Sequence, residues 1–458
     1  WQIGAWEWRN YPHRLPPPAQ SDALRWKAGQ GGSQSGRVWT LREAVETGIK
    51  NNLLVNQRDF RAQRAEVDWR QAQGNMLPTL GGNIDHTLSL GRNIGSNNTY
   101  SNTQRTRADW GLNSNVTLFN GLRLWNQLRS TQFAYEAAKL EWQQEKDDLT
   151  LNIILAYLEI LTNGDRVELA RIQTTQIQEQ VNRLEILNRE GSIVPSDLSD
   201  VRGQLASNKL AEITTANSLE QSKLGLAQLM NIPYDSTMQV ERLPVEQFDM
   251  NYMASPDSIY NLAIEELGRV KATIMRTKSA EKAVQAARGN LVPSVGFGGN
   301  AYTQFFSDLT DANNNDKTVP YYNQLKNNYG FGFGVFIDIP ILNRFFNRNL
   351  VRQAKINLKE NELVAKNTQI VLRQNIERDY VNMRTSINSY QALVEQVAAF
   401  TESFRAAEAR FNAGVGNSYD FLQARNRMDQ ANINLIVARY DYAQRTKILD
   451  YYQGRPLF

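Results

Sequence analysis

Cysteine is absent, which removes disulfides, cysteine-ligated zinc, thiol catalysis and a lipid-modified cysteine from consideration. Histidine is nearly absent: His13 and His86 are the only two. They lie far apart on segments of different character, so a Ser-His-Asp triad or a multi-histidine metal site has no basis. No stretch approaches the roughly 20 consecutive apolar residues of a membrane helix, and mean hydropathy is -0.52. A helical membrane protein is thereby excluded. Charge of one sign is not in excess either, with 51 Lys+Arg against 47 Asp+Glu and a net charge of +4. Without a run of five or six like charges, no nucleic-acid partner is expected. The carboxylates are dispersed, and nothing gathers a nucleophile, a base and a cradle, so neither an enzyme nor a cofactor is expected. The chain opens at Trp1 without a charged and then apolar leader, so any export signal is expected to have been removed or never present.

What the sequence does contain is an internal repeat. Gly74-Asn75-Met76-Leu77-Pro78-Thr79-Leu80 recurs 215 residues later as Gly289-Asn290-Leu291-Val292-Pro293-Ser294-Val295. Leu118-Phe119-Asn120 matches Ile341-Leu342-Asn343 at an offset of 223. The same offset carries Glu190-Gly191 and Asp197-Leu198 onto Ala413-Gly414 and Asp420-Phe421. Three landmarks in order indicate a tandem duplication. The boundaries expected from it are an extended strap over 1–38, a first repeat over 39–230, a linker over 231–256, a second repeat over 257–452 and a tail over 453–458.

Each copy has the same internal plan. After the proline landmark the side chains alternate with period two. Leu80, Ile84, His86, Leu88 and Leu90 oppose Thr79, Asn83, Asp85, Thr87 and Ser89; Trp110, Leu112, Val116 and Leu118 oppose Asn113, Asn115 and Thr117. The second copy sets Val295, Phe297, Ala301 and Phe305 on one face. It then sets Tyr329, Phe331, Phe333, Val335, Ile337 and Ile339 against Gly330, Gly332, Gly334 and Asp338. These strands, about 10–13 residues long, suit a tilted membrane strand better than a globular one. Trp110, Phe119, Phe305 and Tyr329 near their ends suit interfacial girdles. A polar stretch over 93–106 separates the two alternating segments of the first copy, and the stretch 307–328 in the second reads as a loop in water.

About 70 residues of helix follow in each copy, roughly 100 Å if unbroken. In the second copy Leu393, Val397, Phe400, Phe404, Ala407 and Phe411 form a heptad seam, which reads as helix packing. Gly191 and Gly414 suit helix C-termini, and Pro195-Ser196-Asp197 and Asn417-Ser418 supply N-cap candidates for returning helices that run to about Met230 and Tyr452. Two strands per copy cannot close a barrel, and an open sheet edge cannot stand in lipid. Several copies must therefore pool strands, eight for a dimer or twelve for a trimer, and the residues do not separate these.

The duplicated plan, the proline landmarks, Leu118-Phe119-Asn120-Gly121 and the Gly191/Asp197 and Gly414/Asp420 tips together resemble the TolC family of outer-membrane channels over about residues 39–452. The resemblance implies a mixed, mainly-α fold with membrane β: a homotrimer whose 12-stranded barrel, four strands per protomer, continues into a long α-helical barrel through the periplasm of a Gram-negative bacterium. It also implies a periplasmic adaptor and an inner-membrane pump as partners, contact with outer-membrane lipid, and a passive export conduit for small toxic compounds or, alternatively, polypeptides. A structural periplasmic coiled-coil rod is the rival outside the family.

Carried over residue by residue, Asp197 matches the first-tip gate aspartate and Asp420 the first constriction carboxylate. Phe411, Gly416 and Gln423 stand where the family has a tyrosine, an arginine and a second carboxylate, so Arg425 or Arg202 would have to supply another lock. Gly191, Ser192, Gly414 and Val415 are the expected adaptor-contacting tips, and Asn115 and Asp338 the candidates for lumen-facing strand residues. Asp197 and Asp420 also have a plain reading as first-turn carboxylates favoured by the helix dipole.

Overall fold

A computed structural model describes residues 37–94, 98–242, 252–311 and 317–456. The expected strap over 1–38 lies outside them except for its last two residues. The chain runs β1 (Val38–Trp39), α1 (Leu41–Asn51), α2 (Leu53–Gly74), β2 (Thr79–Ile94), β3 (Tyr100–Phe119), α3 (Arg123–Arg189) and α4 (Pro195–Leu229). After the short β4 (Gln239–Val240) the same plan recurs as α5 (Pro256–Glu266), α6 (Gly268–Gly289) and β5 (Ser294–Phe306). The hairpin insert β6 (Thr310–Asp311), β7 (Lys317–Thr318) and α7 (Tyr321–Asn327) precedes β8 (Gly330–Asp338), α8 (Phe346–Asn412) and α9 (Ser418–Tyr452). Matching helices have equal lengths in the two copies: 11, 22, 67 and 35 residues. The duplication is therefore a structural one.

Local chemistry sets the joints. Thr40 and Glu43 form a capping box at α1, and one residue, Asn52, ends α1 and caps α2 by accepting from the Leu54 and Val55 amides. Extended backbone at Asn52 and at its counterpart Leu267 kinks each helix pair. Each long helix is entered through two left-handed residues, Gly121-Leu122 and Arg344-Phe345. Gly121 is obligatory for a second reason: a Cβ there would lie 2.9 Å from the Gly289 carbonyl oxygen.

The sheet order is β2-β3-β5-β8, all antiparallel. β8 is nine residues long and limits the four-stranded band to about 23 Å of height at a 40° tilt, the height of an outer-membrane apolar belt. One face carries Leu80, Leu112, Val116, Phe297, Phe331, Phe333 and Ile337, with Leu80 78% and Phe333 77% exposed. The other carries Asn83, Asp85, Asn113, Asn115 and Asp338. Among the described residues no helix is long and apolar enough to cross a membrane.

Two expectations are corrected. The separating stretch 93–106 is itself largely strand, because β3 begins at Tyr100 and pairs with β2 out to Ile94. Above the apolar belt both faces of this ribbon meet water, so its polar side chains are no bar to pairing. The stretch 307–328 is not all loop, since it carries β6, β7 and α7. There Gln324, 1% exposed, ties α7 to the sheet through the Phe306 amide and carbonyl. Most of its Asp311–Asp316 run lies outside the described residues.

Three apolar clusters sit along the helices. Tyr157 centres one and donates to the carbonyls of Trp39 and Glu241, which fixes the parallel β1–β4 pair to α3. A second surrounds Ile376, Tyr442 and Leu449. The third lies at the far tips of the long hairpins.

Candidate functional site: the helical tips

The tips are built from the ends of four helices. Gly191 (φ +70°) and Gly414 (φ +74°) close α3 and α8 in the left-handed conformation, with Ser192 N donating to Leu187 O and Val415 N to Arg410 O. Replacing Gly414 by alanine places a Cβ in that conformation, which costs about 1 kcal/mol. G414A is expected to raise the rate of proteolytic cleavage at residues 413–417 without altering overall helicity, and unchanged cleavage would sink the assignment. At α9 the expected cap holds, with Asn417 Oδ1 accepting from Asp420 N at 2.7 Å. At α4 it does not: Val194 is the N-cap residue without a side-chain cap, Pro195 at the first helical position removes one of the unpaired first-turn amides, and Asp197 N donates to the Val194 carbonyl at 3.0 Å.

The sequence-derived site residues separate into two groups. Gly191, Ser192, Gly414 and Val415 are exposed at the turns, and Asp197 and Asp420 sit in the first turns of α4 and α9. Gln423 is exposed, in a groove of about 700 Å³ with Asp200, Gln204, Phe400 and Tyr419. Phe411, by contrast, packs into the tip core. Its ring stacks on Phe421 at 4.8 Å, beside Phe404 and among Ile177, Val181, Leu184, Leu198 and Val201. A ring without a hydroxyl gains by this burial, so Phe411 belongs to packing and not to a hydrogen-bonded latch. Gly416 is a tight corner, where a Cβ would lie 3.1 Å from the Phe411 amide nitrogen. Asn115 and Asp338 share the polar sheet face, and the Thr79 hydroxyl donates to Asn115 Oδ1 at 3.2 Å.

Four polar links join the first hairpin to the second near the tips. Arg183 donates to Asn412 at 3.0 Å, Ser418 to Asp200 at 2.9 Å and Asn426 to Gln204 at 3.4 Å. The fourth is buried. Arg425, 2% exposed, donates to the Gln173 carbonyl at 3.3 Å and to Gln176 Oε1 at 3.2 Å, and lies 3.6 Å from Asp429. Burial pushes the Arg425 guanidinium down and the Asp429 carboxyl up, and each charge partly offsets the other's shift. Of the two arginines considered for a lock, Arg202 pairs with Glu185 inside the first hairpin at 2.8 Å and not with the second. Asp429 was missed. An Arg–Asp pair four residues apart is an ordinary solvated helix pattern, and nothing in the sequence marks it as buried.

Comparison with known proteins bears on the fold and its duplication. The family model of the outer membrane efflux protein matches residues 49–231 and 259–455, one block for each copy. The outer membrane protein TolC of Salmonella enteritidis is 25% identical over 384 residues, covering 81% of this chain and 73% of that protein. The nodulation protein T of Rhizobium leguminosarum bv. trifolii is 23% identical over 96% of this chain and 92% of its own length. Among solved structures, CusC superimposes with a TM-score of 0.79 at 17% identity, covering 91% of this chain and 92% of that one. VceC from Vibrio cholerae gives a TM-score of 0.76 at 15% identity, covering 91% and 97%. The chain belongs to the outer membrane efflux protein family.

Proposed function

We propose that three copies of this chain close into one export channel, a passive conduit that takes small toxic compounds from a periplasmic adaptor and an inner-membrane pump across the outer membrane. The observation that carries this reading is a pair of open edges related by the duplication. Within the chain α6 covers α3: Gly268 abuts the Leu140 carbonyl, Lys278 lies over the Phe133 ring, Ser279 bonds Ser130 and Gly289 abuts Arg123. The repeat offsets carry Phe133 and Leu140 onto Ile356 and Leu363, and Gly268 onto Leu53. These three are 60%, 68% and 72% exposed. A second copy whose α2 lies on α8, as α6 lies on α3, covers all of them. The same operation sets its β2 beside β8, as β5 lies beside β3.

Such a head-to-tail contact must close into a ring, and in lipid the sheet must close as well. Three copies give twelve strands, an even count within the known barrel range. The apolar sheet face then meets lipid, and the polar face with Asn115 and Asp338 lines the lumen. α3 and α8, at 67 residues each, span about 100 Å of periplasm. Residues 39–230 and 257–452 are the two repeats of this design and 231–256 the link between them.

At the periplasmic entrance Gly191, Ser192, Gly414 and Val415 meet the adaptor, while Asp197, Asp420 and Gln423 surround the constriction. The conduit itself does no chemistry, and the pump supplies the energy. Related proteins carry export of distinct cargoes in their names, among them pyoverdine export and toxin and drug export, which supports a tunnel whose cargo the pump selects.

The test is reconstitution and capture. The detergent-extracted chain should run as a trimer, conduct ions in planar bilayers and pull down an adaptor with a proton-driven pump. A water-soluble, non-conducting rod would overturn the reading, and recovery of an ATP-driven exporter would change the cargo to polypeptides. Asp420→Ala should weaken cation preference in single-channel recordings, while unchanged selectivity would leave Asp420 only its favourable place at the helix N-terminus.

A further inference from the structure

The helix α7 does not guard the lumen; it lies on the apolar face of the sheet. Thr303 Oγ1 donates to the Leu325 carbonyl at 2.6 Å, Trp110 Nε1 donates to the Tyr321 hydroxyl at 3.1 Å, and the Phe305 and Tyr321 rings are 4.5 Å apart. Thr303, Trp110 and Phe305 share the face of Leu112 and Phe297. Beside α7 is a hollow of about 560 Å³ whose apolar walls include Ile84, Leu325 and Tyr329. Leu112, Ala301 and Phe331 are shared with a second hollow of about 320 Å³ that continues past Ser114 to Val116, Phe297 and Phe333.

The result is a trough with a floor of small residues between aromatic and aliphatic ridges. From Phe297 to Thr303 it runs about 20 Å along the strand, or about 15 Å in depth at a 40° tilt. That is half of a bilayer's hydrocarbon core, the depth of one leaflet. The sheet end that carries α7 is the one remote from the long helices, so the trough opens toward the outer leaflet. Lys326, in the last turn of α7, is exposed and makes no ion pair among the described residues.

We propose that this trough seats one acyl chain of a phosphate-bearing outer-leaflet lipid per protomer, with Lys326 beside the headgroup. The proposal rests on the reading that this face meets the membrane. Shape selects the chain, because Ala301 and Ser114 leave space where a larger side chain would fill the groove, and α7 flanks its upper end through Leu325. Charge selects the headgroup, because Lys326 favours phosphate over a neutral surface.

The test uses purified trimers exchanged into nanodiscs of equal phosphatidylglycerol and phosphatidylcholine, released into mild detergent and weighed by native mass spectrometry. Wild type should retain one lipid per protomer, enriched in phosphatidylglycerol. A301W, and independently S114F, should lower that occupancy on the order of tenfold. L90W, on the same face but outside the trough, should not. K326A should keep the lipid but lose the preference for the anionic headgroup. Equal retention by wild type and A301W, or none by wild type, overturns the seat; an unchanged preference in K326A overturns the headgroup assignment. Bilayer conductance of the same samples separates the two readings, since a conducting trimer without retained lipid refutes the seat and leaves the channel standing.

Discussion

Leu363→Asp is expected to leave a folded chain that no longer assembles. In the single chain Leu363 is 68% exposed and contributes to none of the three apolar clusters, so the substitution takes nothing from the protomer's own core. In the proposed ring it faces Leu53 of the next copy. Losing a buried leucine costs about 1.5–3 kcal/mol, and an unpaired carboxylate in the same place costs several more. The ring has three such seams, so the penalties act together against closure. Size measurement in detergent should shift from trimer to monomer while circular dichroism keeps its helical amplitude. The double variant L363D/L53K places opposite charges across each seam and should recover part of the trimer. A fully trimeric L363D would refute the packing of α2 on α8, and failure of the double variant alone would move Leu53 out of register.

Ile356, Leu363 and Ile370 recur every seven residues on α8, as do Leu53, Phe60 and Val67 on α2, yet only the Leu393–Phe411 seam of α8 stood out. That seam has an apolar residue at every third or fourth position and is covered within the chain, with Ala407 buried and Phe404 and Phe411 against Phe421. The upper seam is a sparser stripe, and its purpose is visible only once the fold exposes which neighbours are missing. The duplication, the two strands per copy and the long helical hairpins were legible because landmarks and periods are properties of the chain itself.

Other features were not legible, for different physical reasons. The outer half of β3 alternates nothing, since both of its faces are polar. α7, at seven residues, is too short to display a helical period. At the tips, Asn417 announced itself as a cap, but Phe411 could be assigned to the core or to the gate only by locating Phe421 beside it. The burial of Arg425 depends on α3, 249 residues away at Gln176. No local pattern carries that information.

Arg425 is also where the second large effect is expected. Its guanidinium joins α9 to α3 inside the tip as a buried charge, whereas the Arg183–Asn412 and Asn426–Gln204 links are exposed and the buried Ser418 hydroxyl is neutral. Removing one partner of a buried ion pair costs about 3–5 kcal/mol because the other charge stays buried and unpaired. Arg425→Met should therefore favour conformations that hydrate Asp429 beyond its present 13% side-chain exposure, and parting the hairpins does so. In single-channel recordings R425M should conduct more than wild type at neutral pH, and adding Asp429→Asn should return it toward the wild-type value.

The pH dependence has a definite sign. Asp429 is held above the ordinary carboxylate value of 3.8 by burial, so the tip with its hairpins packed as in this structure, which we take as the closed form, binds this proton more tightly than a hydrated tip does. The closed form is then favoured below the ordinary value and loses that advantage as pH rises through the raised one. Acidification toward pH ~4 should close the channel, and D429N should abolish this response. In R425M the carboxyl loses its neighbouring positive charge and titrates higher still, so the closing transition moves toward neutral pH. A pH profile of R425M that superimposes on wild type, or a response that survives in D429N, would refute Asp429 as the group whose titration governs the tip.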